Sequence, residues 1–140
     1  MTSIAFRYAI ALVGDFAKEY NKFIISEFWS GKIYENIQYG QSLEFPDVPA
    51  HTAVHLKITG YLKNTPMIIY TNGHFSMGGT EVTNCCYKKD IFSLNIDWKW
   101  DYPLVIKLVA TENKIWENGE RYFKIQVNER GLYNFKLKTH

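Results

Sequence analysis

The stretch Phe92-Ser93-Leu94-Asn95-Ile96-Asp97-Trp98-Lys99 decides the fold class. Phe92, Leu94, Ile96 and Trp98 alternate with Ser93, Asn95, Asp97 and Lys99. Successive side chains of a strand point to opposite faces, so this pattern predicts a strand with one apolar and one wet face. The same period recurs on either side of it. Upstream, Val54, Leu56 and Ile58 alternate with His55, Lys57 and Thr59, and Gly60 ends the run. Met67–Thr71 reads as a short apolar strand closed by Asn72-Gly73, a strong turn dipeptide. Phe6, Tyr8, Ile10 and Leu12 share one face, and Gly14-Asp15 signals a turn. Residues 16–23 read either as a strand or as a turn and a half of helix, because Ala17, Lys18 and Glu19 are poor strand formers. Downstream, Leu104–Val109 is a continuous apolar strand with one lysine. Phe123, Ile125 and Val127 alternate, residues 128–131 turn, and residues 133–137 alternate again.

Helical periodicity hardly appears. Strands recurring every 8 to 15 residues or so, separated by Gly, Pro and Asn turns, predict an all-β sandwich or barrel. The 140 residues suit one ordinary domain, 1–140. No linker or low-complexity stretch divides them, and residues 46–49 and Gly78-Gly79 are the loosest points.

Composition narrows the function classes. A hydrophobic fraction of 46% argues against disorder. Aromatic residues make up 16%, which suits strands and suits surfaces that bind flat apolar faces of sugars or bases. Sixteen basic against fourteen acidic residues leave a net charge of +2, too little to argue for nucleic acid or an anionic membrane. No run of about 18 apolar residues predicts a spanning helix. The apolar start is interrupted by Arg7 and lacks a basic cluster ahead of it, which argues against a cleaved signal peptide. Cys85 and Cys86 are adjacent and cannot build a disulfide framework, and the chain has no Asn-x-Ser/Thr sequon. Both point to a reducing, cytoplasmic compartment.

No nucleophile elbow, phosphate loop or dinucleotide fingerprint is present, so nothing asks for an enzyme or a cofactor. His51 and His55 have a spacing that binds metal on a helix. On a strand they stand about 13 Å apart, and one ion cannot bridge that distance. Two other features are more telling. Asn95, Asp97 and Lys99 point the same way from their strand, about 6.6 Å apart in successive steps. An amide, a carboxylate and an ammonium together offer donors and acceptors, as sugar hydroxyls require, though a solvated sheet face reads the same way. Trp116, beside the turn 117–120, could stack on the apolar face of a pyranose, with Arg121 forking onto hydroxyls. It could equally be a core residue.

Taken together these stretches resemble the galectin family. Residues 92–100 resemble its strand carrying His-x-Asn-x-Arg, with Asn95, Asp97 and Lys99 at those three positions. Residues 105–121 resemble the following strand and loop, which end in Trp-x-x-Glu-x-Arg: Trp116 matches the Trp and Arg121 the final Arg. The family's Glu falls on Gly119, with Glu120 beside it, and its Asn seven residues before the Trp falls on Val109. Residues 54–60 look like an early strand of the family ending in Gly60. Residues 8–14 with Tyr20, and residues 123–128 with Phe135, each look like the family's late hairpin. The first match implies a permuted domain or a cut across tandem repeats; the second implies ordinary strand order without the closing strands.

The resemblance implies a two-sheet antiparallel jelly-roll sandwich, galectin- or concanavalin-like. It implies a lectin for galactose-type glycans, with Trp116 stacking and Asn95, Asp97, Lys99, Glu120 and Arg121 hydrogen-bonding hydroxyls. No cofactor, metal or catalytic residue is expected. Glycans are the expected partners, and edge strands would allow a homodimer. Such a protein would be cytoplasmic, or exported without a signal peptide. The alternative is a galectin-fold protein-interaction module that has lost sugar binding, which the departures at Asn95, Asp97, Lys99, Val109 and Gly119 favour. A third class, a small barrel holding a hydrophobic ligand, predicts an interior cavity. The lectin reading needs Trp116 exposed beside Asn95, Asp97 and Lys99.

Overall fold

A computed structural model describes residues 3–9, 20, 22–49, 54–74 and 76–140. Every regular element among them is a strand: β1 Ser3–Ala9, β2 Lys22–Glu27, β3 Ile33–Gln38, β4 Ser42–Pro49, β5 Leu56–Gly60, β6 Met67–Thr71, β7 Val82–Lys88, β8 Ile91–Ile96, β9 Leu104–Val109, β10 Lys114–Trp116, β11 Tyr122–Val127 and β12 Gly131–Thr139. All their pairings are antiparallel. The all-β expectation therefore holds. The turn at Gly14-Asp15, most of the ambiguous 16–23 segment and His51 lie outside the described residues. The chain packs as two compact units, Met1–Tyr61 and Leu62–His140.

In the first unit β2 is the middle strand of the sheet β3-β2-β5, and β1 pairs with β4. Residues Phe23, Ile24, Ile25, Ser26 and Glu27 are all buried. A strand covered on both faces reads as a continuous run, which is why alternation does not reveal it. Phe23, Ile25, Ile37 and Leu43 form the core of this unit. Asn36 adopts a φ of 57° where the β2–β3 register shifts, a bulge that a small amide residue tolerates.

Glu27 closes the turn after β2. Its Oε2 accepts hydrogen bonds from the Ser30 N–H at 2.6 Å and the Ser30 hydroxyl at 2.7 Å. Burial pushes its carboxyl up, but the hydrogen bonds from Ser30, Trp29 and His55 outweigh burial and hold it below the ordinary value of 4.5. A carboxyl lowered on folding stabilises the fold above its unfolded pKa. That contribution disappears as the pH falls through the folded value. Acid titration of wild type and Glu27→Gln, followed through amides of the first unit, should show a limb below pH 4.5 that is flattened in the variant.

The second unit is a sandwich. The sheet β10-β12-β8-β7 faces the sheet β11-β9-β6. Phe92, Leu94, Ile96, Trp116 and Leu137 from the first meet Leu104, Ile106, Leu108 and Val127 from the second in one core. Met67–Thr71 and Leu104–Val109 form strands at the predicted bounds. β7 was not predicted, because its residues are mostly exposed on both faces and carry no alternation. It joins β8 through a two-residue turn, Lys89-Asp90, with Lys88 opposite Ile91. Both turn residues have positive φ, 52° and 65°, the twist a tight hairpin needs. Lysine is strained there, so Lys89→Gly should raise the unfolding free energy by up to about 1 kcal/mol in urea titration.

Candidate functional site

The alternation of β8 puts Phe92, Leu94 and Ile96 in the core and Asn95 on the outer face. The strand ends at Ile96, but the Asp97 N–H still donates to the Glu81 carbonyl at 2.9 Å. Asp97 and Lys99 are exposed and Trp98 is buried, as the sequence predicts. Beyond Trp98 the chain leaves the sheet. Period two would turn Trp100 inward, yet it is 58% exposed, and Tyr102 is 48% exposed. These two rings stand on the loop 97–103 with Asp97, Lys99 and Asp101, and the Lys99 ammonium lies 5.8 Å from the Trp100 ring centroid.

This loop is held from beneath. The Trp98 indole N–H donates to the Tyr102 carbonyl at 2.7 Å, and the two rings meet edge to face at 5.1 Å. Asn72 clamps the far end: its amide donates to the Pro103 carbonyl at 3.5 Å and its Oδ1 accepts from the Val105 N–H at 2.8 Å. Gly73 lies directly under Trp98. A Cβ there would come within 2.9 Å of the indole and 2.7 Å of Leu104. The segment after Gly73 is closed at its base by Thr71 and Glu81, both buried, with the Thr71 hydroxyl donating to Glu81 Oε1. The aromatic loop is therefore a fixed platform.

Trp116 is elsewhere. It is 1% exposed, with ring centroids of Phe92, Phe123 and Phe135 at 6.2, 6.2 and 6.4 Å. Trp116 pairs with Leu137, a core residue, whereas Asn95 pairs with the exposed Leu132. Residues paired across strands share a face, so Trp116 and Asn95 lie on opposite faces of one sheet. The stacking role expected of Trp116 is corrected by this burial: its ring fills the sandwich core and meets no solvent. Arg121 also has a structural part, donating from Nη1 to the Thr111 carbonyl at 3.2 Å. Glu120 is exposed in the turn after β10, where its carbonyl accepts from the Trp116 N–H at 2.9 Å. The structure thus keeps Asn95, Asp97 and Lys99 together and separates them from Trp116.

Trp100 and Tyr102 are the residues that sequence reasoning missed. The available signal was a second Trp after the end of the clean alternation, ahead of Pro103. Proline cannot donate to a sheet ladder, and it marks the segment as loop.

Cys85 and Cys86 are free and exposed on β7, which pairs only with β8 among the described residues. Among the described residues no group of three or more His, Cys, Asp or Glu could hold a metal ion, and no helix is long and apolar enough to cross a membrane. No family model, curated protein or solved structure gives a significant match to the chain.

Proposed function

We propose that the second unit is a non-catalytic carbohydrate-binding module that takes a sugar on the loop 97–103. The Trp100 ring stacks on the apolar face of a pyranose, and Asp97, Lys99, Asp101 and Asn95 hydrogen-bond its hydroxyls. One observation carries this reading: a large indole held 58% in solvent by a loop fixed at both ends. An exposed aromatic ring on a preorganised loop loses little conformational freedom when it stacks, and binding energy is then not spent on ordering. The resemblance to galectins contributes Asn95, Asp97 and Lys99, at the positions of that family's polar row, while the Trp116 that it needs beside them is buried on the opposite face of the sheet, so Trp100 takes the stacking role here. Three or four hydrogen bonds at about 1 kcal/mol each, with one stacking contact, correspond to millimolar affinity. Useful binding would then come from several copies acting together.

A second reading is a protein-interaction module. It is favoured by the unpaired edge of β7 among the described residues and by Leu132 and Ile91, exposed on the outer face of the same sheet. Amide NMR spectra recorded with lactose and then with a panel of oligosaccharides separate the two. Saturable shifts centred on residues 95–102 are the expected result. A well-dispersed spectrum that no sugar moves would remove the carbohydrate reading and leave the edge of β7.

A further inference from the structure

The hairpin that joins β2 to β3 carries an exposed indole of its own, in the first unit. Trp29 is 65% exposed, more than Trp100, and it is not among the residues of that unit's core. The turn beneath it is closed by the backbone. The Glu27 N–H donates to the Lys32 carbonyl and the Gly31 N–H to the Glu27 carbonyl, both at 2.9 Å. Gly31 makes the left-handed step of the turn, with a φ of 71°. The Phe28 N–H donates to the His55 carbonyl at 2.8 Å, which ties the turn to the segment ahead of β5.

Glu27 is the centre of this knot. Its carboxylate is buried, and it accepts from the backbone N–H groups of Trp29, Ser30 and His55 and from the Ser30 hydroxyl. A buried carboxylate is costly unless donors surround it. Here the donors come from the residues that set the backbone of Trp29. The ring is steadied as well: its centroid lies 4.9 Å from that of Phe28, edge to face, and Phe28 meets His55 edge to face at 5.7 Å. An edge-to-face contact covers at most one face of an indole. With most of its surface in solvent, Trp29 presents an open face on a fixed support.

The surroundings of the ring narrow its ligand. Ser30, Lys32, Glu35 and Asn36 are exposed and polar, and Phe28 is half-buried, so the apolar surface of this tip is little more than one indole. A stable protein interface takes about 800 Å² from each partner. One ring falls far short of that, and it matches the apolar face of a single pyranose. The Ser30 hydroxyl and the N–H groups of Trp29 and Ser30 are committed to Glu27, so stacking carries the contact.

We infer that Trp29 is a second sugar platform, which takes a pyranose by its apolar face. The ligand class rests on the function proposed for the loop 97–103; the residues of this site belong to the other unit and are independent of that loop. Two weak sites on one chain raise retention on a glycan-covered surface when both engage.

The test is amide NMR on the full chain with lactose, with cellobiose and with mannitol, an open-chain polyol that has no ring face. Both disaccharides should give saturable shifts at residues 28–32 and at the Trp29 indole N–H, in wild type and in Trp100→Ala alike. Mannitol should leave these signals unmoved at the same concentration. Trp29→Ala keeps the backbone N–H that Glu27 holds and empties no core position, so the fold persists. Affinity read from residues 28–32 should fall about tenfold or more in it, while the shifts at residues 95–102 persist. Shifts confined to residues 95–102 in wild type would overturn the second platform and leave the first standing. Shifts confined to residues 28–32 would do the reverse, and no shift at either would overturn both. Equal shifts with mannitol, or wild-type affinity in Trp29→Ala, would overturn stacking on this ring. Shifts at residues 28–32 that grow with protein concentration alone would give the indole to a second copy of the chain and overturn the sugar.

Discussion

Trp116→Ala is expected to destabilise the second unit by about 3–5 kcal/mol, the range for emptying a large aromatic position in a closed core. The ring is among the largest fully buried side chains and contacts aromatic residues from both sheets, Phe92 and Phe135 on one side and Phe123 on the other. Such a loss is a large part of the 5–15 kcal/mol or so that holds an ordinary domain together. Urea unfolding followed through amides of the second unit measures it. Trp116→Phe should cost less, because it keeps an aromatic ring in place and removes an indole N–H that finds no acceptor among the described residues. A Trp116→Ala variant within about 0.5 kcal/mol of wild type would show that the ring does not fill the core. The variant also has a functional reading. Were Trp116 a stacking platform, its removal would abolish sugar binding and leave the fold intact.

That outcome is expected of Trp100→Ala instead. The Trp100 ring stands in solvent and takes no part in the core, so its truncation should change stability by no more than about 0.5 kcal/mol. The loop keeps its own ties, which run through Trp98, Tyr102 and Asn72. Sugar affinity should fall about tenfold or more, since the stacking face carries much of a small binding energy. Oligosaccharide titration with the shifts at residues 95–102 as readout checks this, beside the unfolding curve of the same variant. Wild-type affinity in Trp100→Ala would remove the proposed platform, whatever sugar is bound elsewhere.

The two tryptophans show where sequence reading succeeds and fails. The polar row was legible: Asn95, Asp97 and Lys99 are exposed as the period of two requires, and Trp98 between them is buried. Trp100 continues the same parity and points outward, because the chain leaves the sheet after Ile96 and periodicity has meaning only within a strand. β2 and β7 escaped for opposite reasons. One is covered on both faces and the other is mostly exposed, with only Val82 and Tyr87 packed on the core, and neither alternates.

Taken alone, the residues determined that this chain is built of antiparallel strands, where β6 and β9 run, and which side of β8 is wet, but not that β8 ends at Ile96. Those are consequences of local geometry, in which the side-chain period and the turn dipeptides act over a few residues. Tertiary structure decided which Trp meets solvent. That choice rests on partners far apart in sequence, Trp116 opposite Leu137 and Asn95 opposite Leu132, and on which face of the sheet the second sheet covers. No local pattern encodes it, because alternation has meaning only within a strand, and a Trp beside a turn reads the same whether its ring is covered or exposed.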